Sequence, residues 1–332
     1  MRLRTALAGI PANRGKVYGG APVEEAIKRA KLDGKPLLSA VTQDQYLATF
    51  RAILDLAAKK QLIGVNPAAN LKPLKKDIVS AADKRLPLTE LQLTQFFQGE
   101  YYRNCAQGAS PAYTFDKAGW RFWMPLITLW MGMRPNEICQ LAASDVKRTE
   151  AGTWFIDVVS SEGEDGGLSK KLKTATSRRK IPVHPEIVAM GFLEFAVKRQ
   201  KFGKGARLFP ELLPDEYGNC AKYALKRFRE IFMPEAIKLD KRQSFYSLRH
   251  NFRDALRRAN APPDALQALG GWSQGSLVSD RYGDRDNPDY QARFICEVSY
   301  PGLDLSFLHL KKSPGTADGP ARDNVVEDDE RS

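Results

Sequence analysis

The sequence has 332 residues, with 51 Lys and Arg against 39 Asp and Glu, which gives a formal charge of +12 and a pI near 9.5. That length allows two domains with separate cores, and the excess of cations favours a polyanionic partner, nucleic acid ahead of an anionic membrane. A bilayer span is excluded because no run of 18 apolar residues occurs; the longest candidate, Phe122 to Met133, is short and carries Pro125. Met1 to Ala12 lacks the apolar centre of a secretory signal, so a cytoplasmic protein is expected.

In chain order, residues 1–39 read as an N-terminal extension with a short helix at Val23 to Leu32. Residues 40–71 read as a small helical domain. Thr42 and Gln45 suggest a capping box, and Tyr46, Phe50, Ile53, Leu54 and Ala57 form one apolar stripe that stops near Ile63-Gly64-Val65-Asn66-Pro67. Residues 72–86 contain Lys72, Lys75, Lys76, Lys84 and Arg85, are broken by Pro73 and lack an apolar period. They read as a basic linker. Residues 87–310 form a second, larger domain that begins with a capping-box pattern at Thr89 and Gln92.

In that domain the pattern predicts helices over 89–99, 119–133, 136–143, 185–200, 220–233, 247–259, 263–269 and 288–298, and strands over 154–159 and 179–183. The fold class is therefore mainly α with one small β-sheet. Residues 311–332 are polar, rich in Pro, Gly and Asp, and read as a disordered tail. Cys105, Cys139, Cys220 and Cys296 have no metal-ligand or redox spacing and are expected to be reduced and buried. His184, His250 and His309 are far apart in sequence, and the acidic run Glu162-Gly163-Glu164-Asp165 reads as a hairpin tip. No metal and no cofactor is expected, and no Gly-rich phosphate loop is present in the sequence.

Chemistry gathers between Ser244 and Tyr282. Phe245, Leu248, Phe252, Ala255 and Leu256 mark the buried face of a helix on which Arg249, Arg253 and Arg257 recur every fourth residue. A guanidinium donates two parallel hydrogen bonds to an oxyanion and keeps its charge, which suits phosphate; a solvated helix face is the plainer reading of such a stripe. Upstream, Arg134 stands between two helices in Gly132-Met133-Arg134-Pro135-Asn136-Glu137, with Pro135 suited to a first helical position. Lys173 precedes the second strand, on or beside a hairpin. Leu269-Gly270-Gly271-Trp272 and Asp280-Arg281-Tyr282-Gly283 close the series.

Arginine, lysine, arginine, then Trp and Tyr, in that order and over about Val41 to Tyr282, resemble the tyrosine recombinase, or phage integrase, family. The resemblance implies an N-terminal helical core-binding (SAM-like) domain and a mostly helical catalytic domain of the DNA breaking-rejoining enzyme type. The two would close on double-stranded DNA as a clamp, and the linker would pass along the duplex. It implies a site-specific recombinase that joins Tyr282 covalently to a DNA 3′ phosphate. Arg134 and Arg249 would clamp the phosphoryl oxygens, Trp272 would add an indole N–H, and Lys173 would protonate the leaving 5′ oxygen. It further implies a homotetramer on two DNA sites, with accessory DNA-bending or excision proteins possible, in a bacterial, nucleoid-associated setting. The segment after Tyr282, 298–308 above all, would dock on a neighbouring protomer or on its own domain.

Two departures mark this chain. The family usually has histidine three residues before the second arginine; here Tyr246 stands there, either as a hydrogen-bonding substitute or with His250 in its stead. The step from Trp272 to Tyr282 is one residue longer than the common spacing. A catalytically weakened or inactive DNA-binding relative, and a type IB topoisomerase-like enzyme, are the alternatives this leaves. Relatives often carry a further DNA-binding domain ahead of the helical one, for which residues 1–39 are short. Glu137 at i+3 from Arg134 reads as a structural partner that holds the guanidinium.

Overall fold

The computed structural model describes residues 2–72, 74, 85–107, 115–160, 170, 177–203, 205–272 and 287–310; at 2, 105–107 and 115–118 it describes the backbone. The chain divides into two compact units, Met1–Lys84 and Arg85–Ser332.

The first unit holds α1 (Arg2–Gly9), α2 (Arg14–Tyr18), α3 (Val23–Leu32) and α4 (Ala40–Lys59). Ser39, not Thr42, caps α4: its Oγ accepts the Thr42 N–H at 3.2 Å, so the capping residue lies three positions earlier than the sequence pattern suggests. The Asn66-Pro67 corner is tied back to α4 because the Asn66 amide donates to the Arg51 carbonyl at 3.1 Å, and its oxygen accepts the Ala68 N–H at 2.8 Å. The expected stripe on α4 does not form the core. Gln43 and Leu47 are buried, whereas Tyr46 and Ile53 are 56% and 60% exposed. The small core is Leu7, Ala26, Ala30, Leu47 and Ala68, because residues 2–39 fold against the Leu47 side of the helix.

The second unit is built around α7 (Phe115–Met131), whose residues from Trp120 to Met131 are buried or nearly so. Pro125 inside it has no N–H to give the carbonyl four residues back. That carbonyl, of Arg121, instead accepts the Tyr101 hydroxyl at 3.1 Å, and the next one, of Phe122, accepts Tyr102 at 2.9 Å. Tyr101 and Tyr102 belong to α6 (Glu100–Gln107), which follows α5 (Glu90–Phe97). The Thr89–Gln92 capping box that starts α5 is complete, with both reciprocal hydrogen bonds formed.

After α7 come α8 (Pro135–Cys139) and a three-stranded antiparallel sheet of β1 (Val146–Arg148), β2 (Trp154–Val158) and β3 (Arg179–Pro182) in that order. Ile156 pairs with Val146 on one side and Ile181 on the other. The helix expected at 185–200 is two, α9 (Pro185–Ala189) and α10 (Phe192–Gln200), separated at Gly191, whose φ of 89° stops the first. The helix expected at 220–233 is α11 (Lys222–Arg227), a π-helical turn over Phe228–Phe232, and α12 (Met233–Ala236). Three further helices complete the unit: α13 (Ser247–Arg258), α14 (Pro263–Gly270) and α15 (Pro288–Ile295).

The segment beyond α15 packs on its own unit. Val298, Tyr300, Leu305 and Leu308 are buried in the same core as α7, the Tyr300 hydroxyl donates to the Leu129 carbonyl at 2.6 Å, and the Leu310 N–H donates to the Ala189 carbonyl at 2.9 Å. Of the two docking readings for residues 298–308, the structure shows the one on the protomer's own domain for Val298, Tyr300, Leu305 and Leu308, while Phe307 stays exposed. Cys139 and Cys220 are buried free thiols, but Cys296 is exposed, contrary to expectation. Among the described residues no cluster of His, Cys, Asp or Glu could hold a metal ion, and no helix is long and apolar enough to cross a membrane.

Candidate phosphate-binding site

Two helices end at the site on left-handed glycines. Gly132 follows α7 with a φ of 62°, and Gly271 follows α14 with a φ of 57°. The carbonyls at a helix C-terminus lack intrahelical partners and carry the negative end of the helix dipole. Here arginines take them: Arg249 Nη1 donates to the Gly132 carbonyl and its Nη2 to the Gly270 carbonyl, while Arg134 Nη2 donates to the Gly271 carbonyl at 2.6 Å. Neither turn tolerates a side chain. A Cβ on Gly132 would lie 2.0 Å from the Phe252 ring, and one on Gly270 would lie 1.9 Å from Trp272.

Arg134 and Arg249 come from different elements, the loop before α8 and the first turns of α13, and Glu137 and Arg179 join them. The Glu137 carboxylate accepts the Arg134 N–H at 2.8 Å, which also caps α8, and the Arg134 guanidinium at 2.8 Å. From the other side Arg179 binds it in two-pronged fashion, at 3.1 Å and 2.8 Å. Burial by itself would raise the Glu137 pKa; Arg179 and Arg134 override it and hold the carboxyl at about 2. Arg249 is buried, and that burial together with the like charges of Arg179 and Arg134 lowers its pKa to about 9, so it remains charged at neutral pH.

Donor accounting separates the three arginines. Each guanidinium has five N–H donors. Arg179 commits four, to both Glu137 oxygens, to the Ser177 carbonyl at 2.8 Å and to the Leu269 carbonyl at 3.1 Å. Arg134 commits three, the third to Ser177 Oγ at 3.4 Å, and Arg249 commits two. Arg179 is therefore a structural clamp, and the spare donors belong to Arg134 and Arg249. Three guanidiniums face one carboxylate, which leaves a surplus of two positive charges that an anion would relieve.

Trp272 lies against this cluster with its ring centroid 4.7 Å from the Arg249 Cζ and 5.5 Å from the Arg253 Cζ. The arginine stripe on α13 is thus not uniform: Arg249 is buried, Arg253 stacks on Trp272, and Arg257 is exposed beside Asp254 at 3.5 Å. Tyr246, the residue just before α13, is half-buried. Burial raises the pKa of its phenol despite Arg85, Arg249 and Arg134, so at neutral pH it stays protonated and does not act as a base. His250, one residue round the helix from Arg249, is kept neutral at pH 7 because burial, then Arg85, lowers its pKa.

The phage integrase family model matches residues 112–287, just over half of the chain. The chain belongs to the phage integrase family. The chain's structure is also similar to the integrase from mycobacterium phage Brujita, at 18% identity with a TM-score of 0.43 over 93% of this chain and 91% of that one. It is similar to the Tn1549 transposon integrase in complex with a circular intermediate DNA, at 20% identity with a TM-score of 0.47 over 78% of this chain and 79% of that one. A third similarity is to lambda integrase bound to DNA, at 14% identity with a TM-score of 0.42 over 86% of this chain and 84% of that one. No curated protein matches the chain.

Of the six residues expected at an integrase site, the structure brings together Arg134, Tyr246, Arg249 and Trp272. Lys173 and Tyr282 lie outside the described residues. Lys170, which lies between β2 and β3 in sequence, is sequestered: its ammonium contacts both Asp145 oxygens, at 2.6 Å and 2.7 Å. Sequence reasoning missed Arg179, which it placed at the start of a strand without giving it a role. The signal was the strand's period of two, since Arg179 and Ile181 share the buried face and Lys180 is exposed.

Proposed function

We propose that the chain is a site-specific DNA recombinase that cuts and rejoins DNA through a covalent 3′-phosphotyrosine. Family membership supports the recombinase class, and one observation carries the chemistry: two arginines with spare N–H donors, fixed on helix ends around a surplus of positive charge. In this reading the Tyr282 oxygen attacks a DNA phosphorus, a new O–P bond forms and the bond to the 5′ oxygen breaks. Arg134 and Arg249 stabilise the charge that grows on the phosphoryl oxygens, Trp272 adds its N–H, and Lys173 hands a proton to the departing 5′ oxygen. The phenolic proton of Tyr282 goes to a base, a part that Tyr246 does not fill because its own phenol stays protonated. Tyr246 acts as a hydrogen-bond donor to the phosphate. Rejoining runs the same steps backwards with a new 5′ hydroxyl, so no nucleotide is consumed.

The assembly in this reading is a homotetramer on two DNA sites, as the family implies, with accessory DNA-bending proteins free to join. Strand exchange between two labelled duplexes tests it. Recombinant product supports a recombinase; relaxation of supercoils without exchange between duplexes indicates a topoisomerase-like enzyme, and DNA binding with neither reaction indicates an inactive DNA-binding relative.

A further inference from the structure

The chain enters its second unit at Arg85, beside the residues already described. Residues 86–88 are fastened there by backbone and side-chain bonds. The Leu86 N–H donates to the Arg242 carbonyl at 3.2 Å, and Gln243 donates to the Pro87 carbonyl at 2.7 Å. Buried Asn251, two residues past Arg249, pairs with both backbone groups of Leu88: its oxygen accepts the N–H at 2.9 Å and its amide donates to the carbonyl at 2.7 Å. Bonds of this kind on buried groups fix a segment in place.

Arg85 is held by that staple with its Cζ 5.7 Å from the centre of the Tyr246 ring. Of the cations that act on the Tyr246 phenol against burial it is the strongest, ahead of Arg249 and Arg134. Yet the side chain is exposed, and among the described residues no carboxylate pairs with it. An unpaired guanidinium placed over the Tyr246 ring, whose phenol also feels Arg249 and Arg134, has an anion as its natural complement. Tyr246 by itself offers an O–H but no charge, and Arg85 brings the charge to the same spot.

We propose that Arg85 is a phosphate ligand of this site, stapled against Tyr246 so that guanidinium and phenol together engage one DNA phosphate. The proposal rests on the reading of the site as one for DNA phosphodiesters.

The test uses the full chain and its Arg85→Ala and Arg85→Lys variants, with duplex binding measured over a range of salt and covalent adduct formation measured at saturating DNA. Arg85→Ala should flatten the dependence of log affinity on log salt by about 0.9, the contribution of one phosphate contact, and slow the saturated adduct rate about tenfold or more, the worth of one charge-assisted hydrogen bond. Arg85→Lys should keep the salt slope and recover part of the rate. Tryptophan-fluorescence unfolding should coincide for all three proteins, since Arg85 is exposed. An unchanged slope overturns the proposal, and so does a reduced slope with an unchanged saturated rate, which would put the contact away from the reacting phosphate. A wild-type chain that binds no duplex or yields no adduct refutes the underlying reading instead, and it is told apart because the wild type itself fails.

Discussion

Replacing Arg179 by Met keeps most of the side-chain volume and removes the charge that holds Glu137. The carboxylate then remains buried with Arg134 as its one cationic partner, and the Ser177 and Leu269 carbonyls each lose a donor. Removing one partner of a buried ion pair costs about 3–5 kcal/mol. The carboxyl itself gives a similar figure: it is held at about 2 against an ordinary 4.5, and at about 1.4 kcal/mol per pH unit the folded site stabilises the charged form by about 3 kcal/mol after the cost of burial has been met. A loss of this size is a large part of the roughly 5–15 kcal/mol that separates a folded domain from its unfolded chain.

All five tryptophans, at 120, 123, 130, 154 and 272, lie in the second unit, so urea unfolding followed by tryptophan fluorescence reads that unit by itself. Arg179→Met should lower its stability by about 3–5 kcal/mol. Adding Glu137→Gln should restore part of the loss, because the stranded charge is gone. A cost under about 1 kcal/mol, or a double variant as unstable as the sum of the singles, would refute the clamp. The acid limb is a further check. A carboxyl held below its unfolded value gives stability that is complete above about 4.5 and is lost as pH falls towards about 2; in Arg179→Met the folded pKa moves up towards the unfolded value, so that acid limb should flatten.

Buried His184 supplies a second pH effect in a different window. Its Nδ1 accepts the Glu186 N–H and its Nε2 faces the Val298 carbonyl, and burial lowers its pKa to about 4. Stability from the neutral ring is therefore full above about 6.5 and lost as pH falls to about 4, and His184→Asn, which still caps α9, should flatten that limb of a stability profile. Lys173→Ala should cleave normal DNA slowly yet recover on DNA with a 5′-bridging sulfur, whose thiolate leaves without a proton; equal defects on both substrates would make the lysine a phosphate contact. Deleting residues 299–332 removes Tyr300, Leu305 and Leu308 from the core, at about 1.5–3 kcal/mol each, and should unfold the second unit. Deleting only 311–332 leaves those contacts in place and should leave the fluorescence midpoint unchanged.

Arg134, Tyr246, Arg249 and Trp272 were legible in the sequence because each sits where a helix starts or stops, next to glycine, proline or a run of apolar residues that marks the place. Arg179 was not, since a buried cation in a strand reads locally like its exposed neighbours Arg178 and Lys180; only its partner Glu137, 42 positions away, makes it internal. The same limit applies to residues 298–308. Their apolar content showed that they must be covered, but the surface that covers them, around Leu129 and Trp130, is set by tertiary packing. Helix boundaries failed where a single residue overrides the period, as Gly191 does between α9 and α10. The stripe on α4 failed because periodicity finds an apolar face without showing whether residues 2–39 pack on that face or beside it.

The proposed reaction depends above all on its nucleophile. Incubating the chain with a nicked suicide duplex, digesting the trapped complex and sequencing the nucleotide-bearing peptide locates the covalent bond directly. The account predicts a 3′-phosphotyrosyl linkage at Tyr282, and a Tyr282→Phe chain that binds DNA with unchanged affinity and forms no adduct. Attachment at another tyrosine, Tyr290 of α15 being the nearest in sequence, or full adduct formation by Tyr282→Phe, would contradict it.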